Sequence, residues 1–482
     1  MRRARQWTVA AVVGGLVATA LPASGATPRP GVDDVGSPGI GDPYFQGYGN
    51  GGYDVGHYDI RVHWFPGRQR LVGTTTVTAV ATQRLRRFNL DLQIKATSVR
   101  VDGEPAGFTQ SGRELVITPA SGLAAGEQMT VRVRYAGRPG RLDTGGLGGW
   151  YRTDDGAVVL GEPEAATVWY PSNDHPRDKA TFDIRVSTPT GMDAVSNGRR
   201  LSVTSAGPTS RDTAHWRVTS PMATYLAYLA LGDFRFERGR TAAGTPYLYA
   251  ISEHLGRVRR PAVASLRATG RAVDVLEAEF GPYPFDITGG TLVNDDFGFA
   301  LENQTRPVYS KLFFRRRNTT VIAHEIAHQW FGNSVSVNRW RDIWLNEGFA
   351  TWASWLYATR LEREPLNRQF ARHYRGYRGV PAMWRVRIGD PGPERLFDIA
   401  VYDRGAMAVQ ALRNRIGVAD HRRLLRTWLR RHKDGDATVR RFRLLAEEVS
   451  GVDLDRFFYV WLFRQRIPER TRANGFPRFM LR

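Results

Sequence analysis

Four stretches in the first half of the chain alternate apolar and polar residues with a period of two. Tyr58, Ile60, Val62 and Trp64 alternate with Asp59, Arg61 and His63. Phe88, Leu90, Leu92 and Ile94 alternate with Asn89, Asp91, Gln93 and Lys95. Met129, Val131, Val133 and Tyr135 repeat the pattern, as do Phe182, Ile184 and Val186. Successive side chains of a strand point to opposite faces, so strict alternation marks strands with one face buried. Residues 45–235 therefore read as an all-β domain of sandwich type. Residues 27–44 are rich in Gly and Pro and read as a linker wrapped onto that domain.

Past residue 260 the period lengthens to that of a helix. Residues 263–280 carry apolar positions at helical spacing and stop at Gly281-Pro282. Asn318-Thr319-Thr320 offers N-cap residues for a helix holding His324 to Trp330, with an end expected near Gly332-Asn333. A second helix is expected to start near Asp342 and run through "WLNEGFATWASWLYA". The tail from Gly405 to Phe463 reads as mostly helical, whereas "GGTLVNDD" (289–296) reads as a strand. Residues 236–482 thus form a second, α+β domain with a helical C-terminal part. A chain of 482 residues is too long for one ordinary core, which agrees with two domains.

The first 26 residues read as an export signal. Arg2, Arg3 and Arg5 precede a short apolar stretch from Trp7 to Leu21, and Ser24-Gly25-Ala26 offers small residues for cleavage after Ala26. An uncleaved anchor is the alternative, but the apolar stretch is short for a membrane span. A secreted, bacterial protein is expected. The chain has no cysteine, which excludes disulfides and thiolate ligands and leaves packing or a metal to hold the fold. The formal net charge is +21, carried almost wholly by arginine. The densest clusters, 313–318 and 421–432, read as solvated faces, and no nucleic-acid motif accompanies them. A monomer is expected, with weak attraction to anionic cell-envelope surfaces and no nucleic-acid partner.

The helix expected at 319–330 contains His324, Glu325 and His328 in an H-E-x-x-H. Four residues apart on a helix, the two imidazoles share one face and can meet one ion. Glu325 lies beside a ligand, close enough to reach a water on the ion without binding the ion itself. Glu347 follows in "DIWLNEGFATWAS", after a gap that fits the end of one helix, a loop and the start of the next. Its neighbours Ile343, Trp344, Leu345, Phe349 and Trp352 suit a buried ligand better than a surface carboxylate. Two His and one Glu make an open zinc site, with one ion per chain and the fourth position left for water. Zinc would polarise a carbonyl and acidify that water, and Glu325 would take its proton. A second donor for the developing oxyanion is required, and spacing alone forces no residue into that role.

"HEIAHQWFGNSV" (324–335) followed by "WLNEGFATW" (344–352) resembles the zinc block of the gluzincin aminopeptidases, the aminopeptidase N and leukotriene hydrolase family. The resemblance implies His324, His328 and Glu347 as ligands and Glu325 as base. "FGFALENQTRP" (297–307) resembles that family's exopeptidase signature, with Phe299 where glycine is usual and Leu301 in place of methionine. Glu302 then inherits contact with the substrate's free amine. Asn303 belongs to the same signature, and the backbone of Gly298, Phe299 and Ala300 would pair with the peptide as an added strand. "GEPEAATVWYPSNDHPRDKATF" (161–182) resembles the β-domain loop that reaches into the family's active site, which makes Glu162 a second amine contact. "VYDRGAMAVQALR" (401–413) resembles the block that supplies the oxyanion-binding tyrosine, here Tyr402.

The resemblance runs from about 50 to 470 and implies a saddle-like β domain followed by a thermolysin-like catalytic domain, without the long helical C-terminal domain of many members. It implies a zinc aminopeptidase acting on peptides with a free N-terminus. Paired carboxylates at Glu162 and Glu302 would hold the ammonium and so measure off one residue per cut. Three other readings stay open: an endopeptidase with the same zinc machinery, hydrolysis of a lipid epoxide, and a basic cell-surface binding protein with a dead site.

Overall fold

The computed structural model describes residues 34–144, 147–205, 207, 210–362 and 364–481. The expected export signal lies outside them. The first domain is built on an eight-stranded sheet. Its order is Arg199–Ser205, Arg211–Ala223, Lys179–Pro189, Tyr53–Phe65, Arg70–Ala81, Gln128–Gly137, Ala96–Val101 and Glu104–Pro105. Tyr53–Phe65 pairs antiparallel with Arg70–Ala81 and parallel with Lys179–Pro189. Tyr58, Ile60, Val62 and Trp64 are buried, as their alternation requires. A three-stranded and a four-stranded sheet complete the domain.

The stretch beginning at Phe88 departs from the expected pattern. Its strand covers only Phe88–Asp91, and Asn89 and Asp91 are buried with their apolar neighbours. They have polar partners inside the protein. Asn89 Nδ2 donates to Glu114 (2.9 Å), and Asp91 accepts from Asn50 Nδ2 (3.1 Å) and from the Asp174 N–H (2.8 Å). A polar side chain in a strand reads as solvent-facing from sequence, yet a hydrogen-bonded one is tolerated inside.

The second domain opens with a five-stranded sheet, ordered Phe234–Arg240, Pro246–Ser252, Thr288–Val293, Val308–Ser310, Ala300–Leu301. The strand starting at Phe234 already belongs to it, so the 235/236 division expected from sequence cuts through that strand. Two helices follow the first hairpin, α1 (Arg259–Leu266) and α2 (Thr269–Phe280), where one was expected over 263–280. The break falls at Arg267-Ala268, where the Thr269 hydroxyl donates to Leu266 O (2.7 Å) and caps the first segment. Beyond the sheet lie α3 (Thr319–Ala327), α4 (Trp344–Glu362), α5 (Leu366–Tyr377), α6 (Pro381–Arg385) and α7 (Ile399–Ile416). Helices α8 (Val418–Arg431), α9 (Val439–Ser450) and α10 (Asp455–Phe458) follow, the last running on into a π-helical turn at Tyr459–Phe463.

Residues 34–52, which include the described end of the expected linker, form a strap that touches both domains. Gly36 N–H donates to Arg87 O (2.8 Å) in the β domain. Asp42 accepts from Tyr44 N–H (2.8 Å) and Phe45 N–H (3.2 Å), lies 3.2 Å from His175 Nε2, and accepts from Trp340 N–H (2.9 Å) in the second domain. Tyr44 donates to Asp390 and accepts from Gly392 N–H. The described residues fall in one compact unit.

Candidate active site

Helix α3 starts where expected, with the Asn318 side chain accepting from Val321 N–H (3.3 Å). It ends earlier than expected, at Ala327, with His328 as a cap that keeps helical angles. Gly332 then adopts a φ of 122°, and Asn333 N–H turns back to His328 O (3.0 Å), so the chain leaves the helical path. His324 and His328 still present their rings together, with Nε2 atoms 3.1 Å apart. His328 Nδ1 sits 3.1 Å from Phe331 O, an acceptor that keeps the proton on Nδ1 and leaves the Nε2 lone pair free.

Glu347 lies in the first turn of α4, and its Oε2 is 3.3 Å from His324 Nε2 and 3.4 Å from His328 Nε2. Three donors at the corners of a tetrahedron with bonds of about 2.0–2.1 Å stand about 3.3 Å apart, so this near-equilateral triangle fits zinc. The closeness of α4 to α7 completes the site. Gly348 and Gly405 meet there backbone to backbone: a Cβ on Gly405 would stand 2.8 Å from the Gly348 Cα. That contact sets Glu347 near Tyr402, whose ring stacks on His324 with centroids 5.9 Å apart.

These residues line a cavity of about 580 Å³, together with Glu162, Gly298, Phe299, Ala300, Glu302 and Glu325. Ligating oxygens of Glu162, Glu302 and Glu347 lie within 4.8 Å of one another, and so do donors of Glu302, Glu325 and His328. All four carboxylates are buried. Burial pushes the Glu162, Glu302 and Glu325 carboxyls upward, and neighbouring carboxylates add to the push on each. Glu347 goes the other way: the His328 and His324 imidazoles outweigh its burial and hold it below the usual range. Burial keeps the Tyr402 phenol protonated, hence a donor. Four carboxylates converging in one buried cavity attract positive charge, both a metal cation and an ammonium group.

The loop carrying Glu302 is held from two sides. Gln329 Nε2 (3.0 Å) and Asn333 Nδ2 (2.7 Å) donate to Glu302 O, and Gln329 Oε1 accepts from Thr305 N–H (2.7 Å). On the other side Asn197 Nδ2 donates to Gln304 O (3.0 Å), and the fully buried Arg306 donates to Gly198 O (2.9 Å) and Leu248 O (3.2 Å). The β domain is thus bonded directly to the signature loop. Glu162 comes from a loop anchored by Arg113, which binds Glu164 (2.6 Å), approaches Asp91 (3.4 Å) and Asp174 (3.8 Å), and stacks on Tyr48.

Of the residues expected from sequence, all line the cavity except Asn303. Asn303 is fully buried and donates to Leu226 O (2.9 Å), so it braces the loop instead of facing a substrate. Gly298 takes a φ of 85°, which favours glycine, and Ala300 lies in the edge strand of the five-stranded sheet. Phe299 turns its ring toward Phe297 (4.7 Å) and Tyr151 (6.1 Å). Tyr225 was not anticipated: its hydroxyl donates to Glu302 Oε1 (3.2 Å). It lies in "TYLAYLAL", an apolar run that reads as core. Gln329 directly follows the metal motif, but no periodicity marks its amide as a clamp.

Comparison with known proteins agrees with this geometry. The description "Peptidase M1 N-terminal domain" matches residues 55–226, and "Peptidase family M1 domain" matches residues 299–461. The chain is 31% identical over 324 residues to endoplasmic reticulum aminopeptidase 1 of Homo sapiens, covering 61% of this chain and 34% of that protein. It is 27% identical over 333 residues to aminopeptidase M1-B of Oryza sativa subsp. japonica, covering 65% of this chain and 37% of that protein. The chain spans about a third of the length of these curated relatives. Among solved structures it resembles the M1 zinc metallopeptidase of Deinococcus radiodurans, with a TM-score of 0.81 and 27% identity over 89% of this chain and 98% of that one. It also resembles a variant of that protein bound to a Tyr-Ser-Ala substrate, with a TM-score of 0.79, 28% identity and the same coverage.

Proposed function

This chain belongs to the M1 peptidase family, and from that premise we propose that it is a zinc aminopeptidase that removes single residues from the N-terminus of peptides. The observation that carries the reading is the pair Glu162 and Glu302, whose carboxylate oxygens lie within 4.8 Å of a Glu347 oxygen. One Glu162 oxygen is buried without a hydrogen-bond partner, and Glu302 has the Tyr225 hydroxyl. An ammonium group between them satisfies both. The substrate's backbone then lies along Ala300–Leu301, whose outer edge pairs with no strand among the described residues. A chain continuing past the amine would meet the two carboxylates, which disfavours an endopeptidase. The solved relative bound to Tyr-Ser-Ala is consistent with a peptide substrate.

His324, His328 and Glu347 would hold the zinc, which supplies Lewis acidity toward a water and a carbonyl. Glu325 receives the water's proton and returns it to the departing amine. Tyr402 donates its hydroxyl hydrogen to the oxyanion. Gln329 and Asn333 hold the backbone under Glu302, so the amine site and the metal helix keep a fixed separation. One ion per chain, a monomeric state, secretion through a signal ending at Ala26 and weak attraction to anionic envelope surfaces belong to the same reading. Metal analysis, gel filtration, N-terminal sequencing of exported protein and vesicle binding test them in turn.

A panel of amino-acid amides, run with and without a chelator and beside N-acetylated controls, tests the central claim. Free-amine substrates should be cleaved, and the chelator should abolish the cleavage. Glu302→Ala should lower kcat/KM by about 10- to 100-fold, the worth of one charge-assisted hydrogen bond. Equal cleavage of acetylated and free peptides would sink the proposal.

A further inference from the structure

A second cavity, of about 520 Å³, shares no lining residue with the catalytic one. Arg339 and Arg341, from the segment that leads into α4, form one wall. Arg440, Arg441 and Arg443, from the first turns of α9, also line the cavity. Two of these five arginines are matched. Arg441 lies 3.7 Å from Asp436, and Arg443 pairs with Glu447 and Asp455. Arg339, Arg341 and Arg440 have no side-chain ion pair or hydrogen bond among the described residues, and Arg339 and Arg341 are half-buried. Two carboxylates, Asp342 and Asp390, line the cavity against these five guanidiniums, and Asp342 feels the charges of both Arg341 and Arg339. Asp342 is turned to Val439 N–H (3.2 Å), and Asp390 is taken by the Tyr44 hydroxyl.

A half-buried guanidinium with no ion pair or hydrogen bond loses hydration and gains little in return. The half-buried Arg339 and Arg341 and the exposed Arg440 line one cavity, where an anion would supply the partner they lack. The guanidinium fork matches phosphate oxygens in bidentate fashion, and the positive end of α9 reinforces the field. The cavity lies within the size range of small-molecule sites, which sets an upper limit on the ligand. We propose that it binds a small, multiply charged phosphate-type anion, either free inorganic phosphate or the phosphate group of a small organic molecule. The site carries a regulatory implication. Arg339 and Arg341 lie a few residues before Glu347, so an occupant touches the segment that positions the third metal ligand.

Calorimetric titration of the zinc-loaded full chain tests this, with inorganic phosphate and glucose 6-phosphate as separate probes and chloride at matched ionic strength as reference. Saturable binding of at least one phosphate probe, tighter than chloride, is expected, and the tighter probe names the source. The double variant Arg339→Gln with Arg341→Gln should weaken binding about tenfold or more while amide hydrolysis without phosphate stays at the parent level. Arg440→Gln, at an exposed side chain, should weaken it several-fold and serves if the double variant does not fold. Phosphate binding no better than chloride, or equal affinity in the parent and the variants, overturns the proposal.

Discussion

Tyr402 is placed by its ring, which stacks on His324, while its hydroxyl is the part the proposed reaction needs. Tyr402→Phe keeps the ring and removes the donor. It should reduce kcat about 100-fold with little change in KM and no loss of zinc, which steady-state kinetics and metal analysis will show. Asp174 gives a different kind of test. Burial pushes its carboxyl up to about 8, against the opposing pull of Arg113, and pushes the neighbouring Asp91 up to about 6. A carboxyl raised in the folded state contributes stability that is complete below its unfolded value near 3.8 and is lost as pH rises toward 8. Asp174→Asn keeps an acceptor for the Thr224 hydroxyl (2.7 Å) and cannot ionise. Melting curves from pH 5 to pH 8 should therefore shift in the variant's favour as pH rises, by on the order of 4 kcal/mol across the range.

Helices α4 and α7 carry Glu347, the proposed third zinc ligand, and Tyr402, the proposed oxyanion donor, and Gly348 and Gly405 let them touch. Gly405→Ala puts a methyl group against the Gly348 backbone, which cannot swing aside as a side chain could. The expected cost is about 1–3 kcal/mol of stability, with a fall in kcat as Tyr402 moves away from the metal ligands; thermal melting and amide hydrolysis measure both. This contact was not legible in the sequence, because a glycine in a helical pattern reads as a local weakness until its neighbour is known. The strands at Tyr58–Trp64 and Met129–Tyr135 were legible, because one side of each faces a core and the other faces water. The pair His324 and His328 was legible for a related reason: helix geometry alone brings them together. Glu302 and Glu162 came from resemblance, since no local rule distinguishes a buried carboxylate from an exposed one. Tyr225 and Gln329 remained hidden, because their roles depend on which backbone atoms stand opposite.

The two domains are joined by more than the chain that runs between them. Lys179 of the β domain donates to Asn333 O (2.7 Å) and Ser334 O (3.0 Å), just beyond α3, and to Gly435 O (3.1 Å), just beyond α8. The strap adds a second tie through Asp42. Asp42→Ala would leave the Trp340 N–H and the His175 ring without their shared acceptor, at a cost of about 2–4 kcal/mol. Limited proteolysis should then cut within residues 34–52 faster than in the parent. Composition called this segment a linker, because Gly and Pro mark irregular backbone whether it is free or docked. Its attachment has a mechanical consequence. A pull applied from the N-terminal side loads the Asp42 and Tyr44 contacts before it reaches any strand of the large sheet. In a single-molecule stretching trace, the strap should detach as a separate early event, a fuse that yields while the metal centre behind it is still intact.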